Sequence, residues 1–273
     1  MIGWLKSRRR RRVASGQFPE EWRRIIRERF GLYGRLPEAD QRELESHILV
    51  FLDEKRFEGC QGLVITDEIR VTIAAQACLL LLHRPGDYYS ELRSILVYPS
   101  TYFWHSGQHS SEGVIHEEAR AMLGESWQHG AVVLAWDSAR AGAANPFDGQ
   151  NVVLHEFAHQ LDQEDGRADG APLLAEREPF RERIARYSSW AKIMASEFEL
   201  LRRSVNEGNH TVLDAYGATD PAEFFAVATE SFFEKPKQLL RRHPALYGEL
   251  KKFYRQDPAG WVGYTEGNKG NED

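Results

Sequence analysis

Asn151-Val-Val-Leu-His155-Glu156-Phe157-Ala158-His159-Gln-Leu-Asp162 is the stretch on which the reading of this chain turns. Its apolar positions, Val152, Val153, Leu154, Phe157, Ala158 and Leu161, describe a buried helix that carries two histidines four residues apart. Side chains at that spacing stand on one face of a helix, so both imidazoles can reach one cation. Neutral imidazole nitrogen suits zinc, which prefers tetrahedral coordination. Glu156 follows the first histidine and is turned around the helix from it, where its carboxylate can take a proton from an activated water without being a ligand. The plainer reading is a pair of core histidines satisfied by nearby carboxylates. Polar groups inside an apolar helix need a reason, and a metal supplies one.

A catalytic zinc site takes a third protein ligand and keeps one position open. Three carboxylates compete. Asp165 lies ten residues after His155, where a turn beyond the helix can return a ligand. The glycine that such a turn needs for a positive φ is missing three residues before it, where Asp162 stands, and Gly166 falls one residue after the candidate. Glu223 and Glu230 lie in Asp220-Pro-Ala-Glu-Phe-Phe-Ala-Val-Ala-Thr-Glu-Ser-Phe-Phe233, seven residues apart. That interval returns nearly to the same helix face, so one carboxylate can ligate while the other orients a ligand. Asp220, Pro221 and Glu223 also make a helix-start signature that accounts for Glu223 by itself, and Glu230 can be read as an exposed helix charge. Spacing leaves the choice open.

Around these motifs the chain is an ordinary globular one. Its 273 residues, 42% of them hydrophobic, are enough for a sizeable core and exclude a disordered chain. A formal net charge of −6 argues against a nucleic-acid-binding domain. Cys60 and Cys78 make neither a disulfide framework nor a paired-cysteine metal site, which fits a reducing compartment. No run approaches the roughly 18 apolar residues of a membrane span. The basic N-terminus is not followed by the apolar stretch of a secretory signal.

Five consecutive arginines, Arg8 to Arg12, repel one another, and residues 1–16 read as a flexible, solvated basic tail. The sharper alternative is a contact with an anionic membrane surface, nucleic acid or partner. Helical periodicity covers 19–30, 37–57 and 67–83, so three helices are expected before any strand. Ser94–Tyr98 and Ala131–Trp136 read as strands, with a further strand or hairpin possible between them. Gly142 to Gly149 reads as a loop. Helices are expected over 151–162, 177–206, from Pro221 to Pro236 and over 239–254. The fold class is α+β, mainly helical, with a small mixed sheet beside the helix that bears His155 and His159.

Three segments together resemble the Mlc titration factor A family of zinc metallopeptidases: Asn151 to Asp162, Asp214-Ala-Tyr216 through Glu223 to Phe233, and Val132-Val-Leu-Ala-Trp136. The likeness extends over roughly residues 20 to 260. It implies a zincin-like (gluzincin) fold with one Zn2+ per chain, held by His155, His159 and Glu223. Glu156 is then the catalytic base, and Tyr216 lies beside the metal, where a phenol can donate to an oxyanion. The resemblance also implies a cytoplasmic, aminopeptidase-like enzyme acting on peptide substrates. It further implies a partner, a Mlc-like transcriptional repressor of sugar phosphotransferase genes. The metallopeptidase domain is expected over 17–262, and 263–273 as a flexible C-terminal tail.

Overall fold

The computed structural model describes residues 2–84, 87–100, 130–174 and 179–261. The middle of the N-terminal half is α4 (Asp67–Leu79). Thr66 starts it by accepting the Ile69 N–H at 3.3 Å, and Asp67 and Glu68 sit at the positive end of the helix dipole. Every residue from Val71 to Leu79 is buried, as a helix apolar on all sides must be. Around it pack α2 (Glu20–Arg29), α3 (Glu38–Glu54), α5 (Trp136–Ala144) and α6 (Val152–Asp162).

Three short strands, β1 (Arg56–Gly59), β2 (Ser94–Tyr98) and β3 (Ala131–Ala135), form a sheet in the order β1-β2-β3. Both pairings are parallel, with Phe57 opposite Ile95 and Ile95 opposite Val132. Parallel neighbours need long crossovers, and the segment from Gly59 to Ser94 provides one by way of α4. The expected mixed sheet is therefore a parallel one among the described residues. Ile95, Val97, Val132 and Leu134 turn into the core while the residues between them stay half-buried, the alternation of a strand with one covered face.

Other expectations shift at element ends. The helix read over 37–57 stops at Glu54, and β1 follows at once, so a strand precedes the third predicted helix. Arg56-Phe-Glu-Gly59 carries one apolar side chain and gives no alternating signal. Trp136 opens α5 rather than ending a strand, and α5 takes only the first residues of the expected loop over 142–149, ending at Ala144. The segment expected to hold a further strand, 101–129, lies outside the described residues, as does 262–273. Residues 2–14, expected as most of a flexible tail, form the helix α1 (Ile2–Ala14) against α3. Glu54 holds Arg10 through both oxygens, at 2.6 and 2.8 Å. No described helix is long and apolar enough to cross a membrane.

The C-terminal half consists of α7 (Phe180–Asn206), α8 (Pro221–Glu234), α9 (Pro236–Arg242) and α10 (Pro244–Tyr254). Proline without an N–H at residue 244 divides the single helix expected over 239–254. The core of this half is aromatic. Trp190, Phe225 and Phe253 meet with ring centroids 5.5–5.8 Å apart, and Phe232, Phe233 and Tyr254 do so at 5.1–5.6 Å. The two halves join where α6 packs along α8.

Lys55 closes the join between α3 and β1. Its buried ammonium donates to the carbonyls of Tyr89 and Leu92 at 2.6 and 2.7 Å, tying the approach to β2. Burial pushes it down to about 8 from the ordinary 10.5. Between those values the unfolded chain still holds a proton that the folded chain has released. This group's contribution to stability therefore rises with pH across that range, by about 3 kcal/mol. Denaturant unfolding from neutral to alkaline pH should show this rise in the wild type and not in Lys55→Met; parallel curves for the two proteins would mean that the buried lysine keeps its proton.

Candidate metal centre

Two helices, each started by its own cap, face each other at the centre. Asn151 caps α6, its side-chain oxygen accepting the N–H groups of Val153 and Leu154 at 3.1 and 3.0 Å. Asp220 caps α8, accepting from Ala222 and Glu223 at 3.0 Å each, with Pro221 at the first helical position. Apolar residues on both helices pack them together. The polar residues that interrupt those stripes are left facing one another.

His155 Nε2 and His159 Nε2 lie 3.2 Å apart. Glu223 Oε2 is 2.9 Å from the first and 3.4 Å from the second. Three donor atoms thus converge on one point, and the group could hold a metal ion. His159 and Glu223 are buried, and His155 is partly exposed. Glu156 adds a separate sign of an incoming ligand: its Oε2 is buried without a hydrogen-bond partner among the described residues. A carboxylate oxygen left dry and unpaired is costly unless water or a ligand reaches it. Two imidazole nitrogens and one carboxylate, beside an unpaired carboxylate, are a donor set that fits zinc.

Behind the first histidine lies a second layer. Glu230 Oε1 takes the Nδ1 side of His155 at 2.8 Å, and its other oxygen accepts the backbone N–H of Asn151. Asn151 Nδ2 in turn donates to Glu234 Oε1 at 3.0 Å. The carboxylate that orients the ring therefore also anchors the start of the helix that carries it. Burial by itself lowers the His155 imidazole, but hydrogen bonds to Glu223 and Glu230 outweigh it and hold the ring well above its ordinary value. Burial raises the Glu223 carboxyl, and the two histidines more than reverse this, leaving it strongly acidic. For Glu156, burial dominates and pushes the carboxyl up.

The structure brings together His155, His159 and the two glutamates, Glu223 and Glu230, that spacing alone could not rank. Tyr216 stands in the 3-10 turn Ala215–Ala218, which leads into α8. Its ring is tilted against His155 with centroids 5.9 Å apart, and Asp214 fixes its backbone by accepting the N–H at 2.8 Å. Asp165 ends the 3-10 turn Gln163–Asp165 just past α6; its side chain lies outside the described residues. Sequence reasoning missed Asn151 as the cap and Glu234 as its partner. The available signal was an asparagine just before an apolar helix and a third carboxylate, four residues after Glu230, in a Phe-rich segment.

Gly170 ties the ends of the two helices. Its N–H donates to Asp162 at the end of α6 at 2.8 Å, and its carbonyl accepts from Trp190 Nε1 at 2.9 Å. With φ at +76°, a Cβ here would lie 2.4 Å from the Pro221 carbonyl, at the head of α8. Gly170→Ala should destabilise the protein by about 3 kcal/mol and weaken metal retention. A melting temperature and metal content equal to the wild type would show that this loop does not set the helix spacing.

The chain is similar to known proteins over most of its length. The model of the glucose-regulated metallo-peptidase M90 family matches residues 4–255. A Synechocystis relative, the uncharacterized protein slr2042, is 40% identical over 256 residues, 93% of this chain and 90% of its own. Mlc titration factor A of Klebsiella pneumoniae is 34% identical over 228 residues, covering 82% of each chain. The protein of that name from Serratia proteamaculans is 32% identical over 231 residues, 82% of this chain and 84% of its own. A helix pair presenting two histidines and a glutamate to one point thus belongs to a match that spans nearly the whole sequence, and the chain belongs to the glucose-regulated metallo-peptidase M90 family.

Proposed function

We propose that the protein is a zinc-dependent peptidase with a zincin-like (gluzincin) fold, hydrolysing peptide bonds at the point where His155, His159 and Glu223 meet. The observation that carries the reading is the convergence of those three donor atoms beside the unpaired Glu156 Oε2. A bound zinc ion supplies Lewis acidity, which polarises a carbonyl and acidifies water. The rest falls to the chain's own residues. Glu156 removes the proton from the attacking water and passes it to the leaving nitrogen. Its burial suits both tasks, because a carboxyl raised from its ordinary value exchanges protons nearer neutrality. Tyr216, placed by Asp214 beside His155, donates a hydrogen bond from its hydroxyl to the carbonyl oxygen as charge develops there. Glu230 acts on the ring of His155 rather than on substrate. β3 is the end strand of the described sheet, and we assign it to pairing with an extended peptide.

The preferred substrates are small peptides cleaved from the amino end. We extend the reading to a regulatory partner of the Mlc type, supported by relatives at 31–34% identity that are called Mlc titration factor A. The free thiols of Cys60 and Cys78 accord with a reducing, cytoplasmic setting.

Glu156→Gln should keep zinc in the purified protein while lowering kcat by about a thousandfold or more; full turnover of a peptide panel would remove Glu156 from the base role. Glu223→Ala should lose zinc on dialysis, measured by elemental analysis, and retention at one ion per chain would exclude it as a ligand. Glu230→Gln should weaken zinc affinity about tenfold to a hundredfold in a chelator competition, while the folded protein, once saturated with zinc, recovers most of its turnover. An unchanged affinity would leave Glu230 with no part in orienting His155. Release of a Mlc-type repressor from its operator by Glu156→Gln as well as by wild type would separate repressor binding from hydrolysis.

A further inference from the structure

α1 carries Lys6 and Arg8 to Arg12, six basic residues and no acidic one, in a chain whose formal net charge is −6. Lys6 and Arg10 are the positions by which it is held. Asp87 pairs with Lys6 at 3.0 Å and also with Arg10. Glu54 grips Arg10 bidentately, and the guanidinium lies 4.7 Å from the centre of the Tyr88 ring. Lys6, Arg10, Val13 and Ala14, spaced by three and four, form the inward face.

This docking decides what looks outward. Trp4 and Leu5 are 60% and 56% exposed. With them on the outer face stand Arg8, Arg11 and Arg12, all exposed. Arg8 reaches back over the Trp4 ring, 5.6 Å from its centre, and Arg9 is drawn aside to Asp53 at 3.0 Å. The carboxylates next to α1 are thus engaged by Lys6, Arg9 and Arg10. Arg8, Arg11 and Arg12 have no carboxylate partner among the described residues.

We infer that α1 is a membrane-surface helix that seats the protein on an anionic bilayer. A basic helix with tryptophan and leucine exposed at one end matches the boundary between acyl chains and headgroups, where Trp and Leu insert and arginines meet lipid phosphates. The exposed Trp4 and Leu5 favour a bilayer over a nucleic acid, which would use the arginines alone. The ion pairs to Asp87 and Glu54 keep the helix against the body of the protein, so the outer face is presented as a unit. This surface is independent of the metal centre and does not rest on the peptidase reading.

The test is sedimentation of the full chain with vesicles of pure phosphatidylcholine and with vesicles enriched in phosphatidylglycerol. Binding is expected to the anionic vesicles only and to weaken as salt is raised. Exchanging Arg8, Arg11 and Arg12 together for serine should lower partitioning about a hundredfold, and Trp4→Ser with Leu5→Ser about tenfold. Lys6 and Arg10 are left in place, and circular dichroism with a melting curve confirms that each variant is folded. No binding to anionic vesicles, equal binding to neutral ones, or no loss in the Trp4/Leu5 variant would overturn the inference. So would tighter binding to duplex DNA or RNA that ignores Trp4 and Leu5.

Discussion

The candidate metal centre depends on one carboxylate serving two masters on the same helix. Glu230 receives the ring of His155 on one oxygen and the backbone N–H of Asn151 on the other. The first contact sets which imidazole nitrogen faces Glu223. The second fixes the start, and hence the rotation, of the helix bearing all three motif residues. Asn151 then passes the constraint on, since its own side chain closes the first turn of α6 and reaches Glu234. Without this anchor the donor atoms would still be present but not held at one point, and metal affinity depends on how well the ligands are held as well as on which they are.

Such an arrangement is expensive to fold. Glu156, Asp162, Glu223, Glu230 and Glu234 are all buried within one region, and a carboxylate taken out of water is unfavourable unless it is paired or neutralised. Burial raises the carboxyl of Asp162 to about 6 and that of Glu234 well above the ordinary value, so part of the charge is relieved by protons. The surroundings offset the remainder by packing. The Phe-rich face of α8 and the aromatic cluster around Trp190 and Tyr254 supply large buried apolar surfaces beside the acidic site. Membership of a metallopeptidase family gives a reason for a chain to maintain so costly a constellation.

Much of this could be read from residues alone, for reasons that differ by element. The α6 motif was legible because its apolar stripe and its histidine spacing agree on one helix. The start of α8 was legible because Asp220-Pro221 is a local signature that tertiary context does not alter. The same signature masked Glu223 as a candidate ligand: it accounted for that residue so well that spacing could not separate it from Glu230, and only the facing histidines distinguish them. β1 was illegible because its four residues are polar but for Phe57, and backbone pairing with β2 holds it rather than side-chain pattern. The N-terminal helix escaped for an electrostatic reason. Five adjacent arginines read as self-repelling until Glu54, Asp53 and Asp87, distant in sequence, are seen beside them.

The seven-residue interval between Glu223 and Glu230 has a consequence for how this chain can vary. Two turns of helix carry one carboxylate to the metal point and the next to the ring behind it, and each residue advances the helix by about 100°. A single insertion or deletion inside that interval would swing one of the two acids well off the site while leaving the rest of the apolar packing to find a new register. Loops joining these elements can lengthen at small entropic expense, but this stretch behaves as a fixed ruler, and length changes among descendants of this sequence would fall in the loops rather than there.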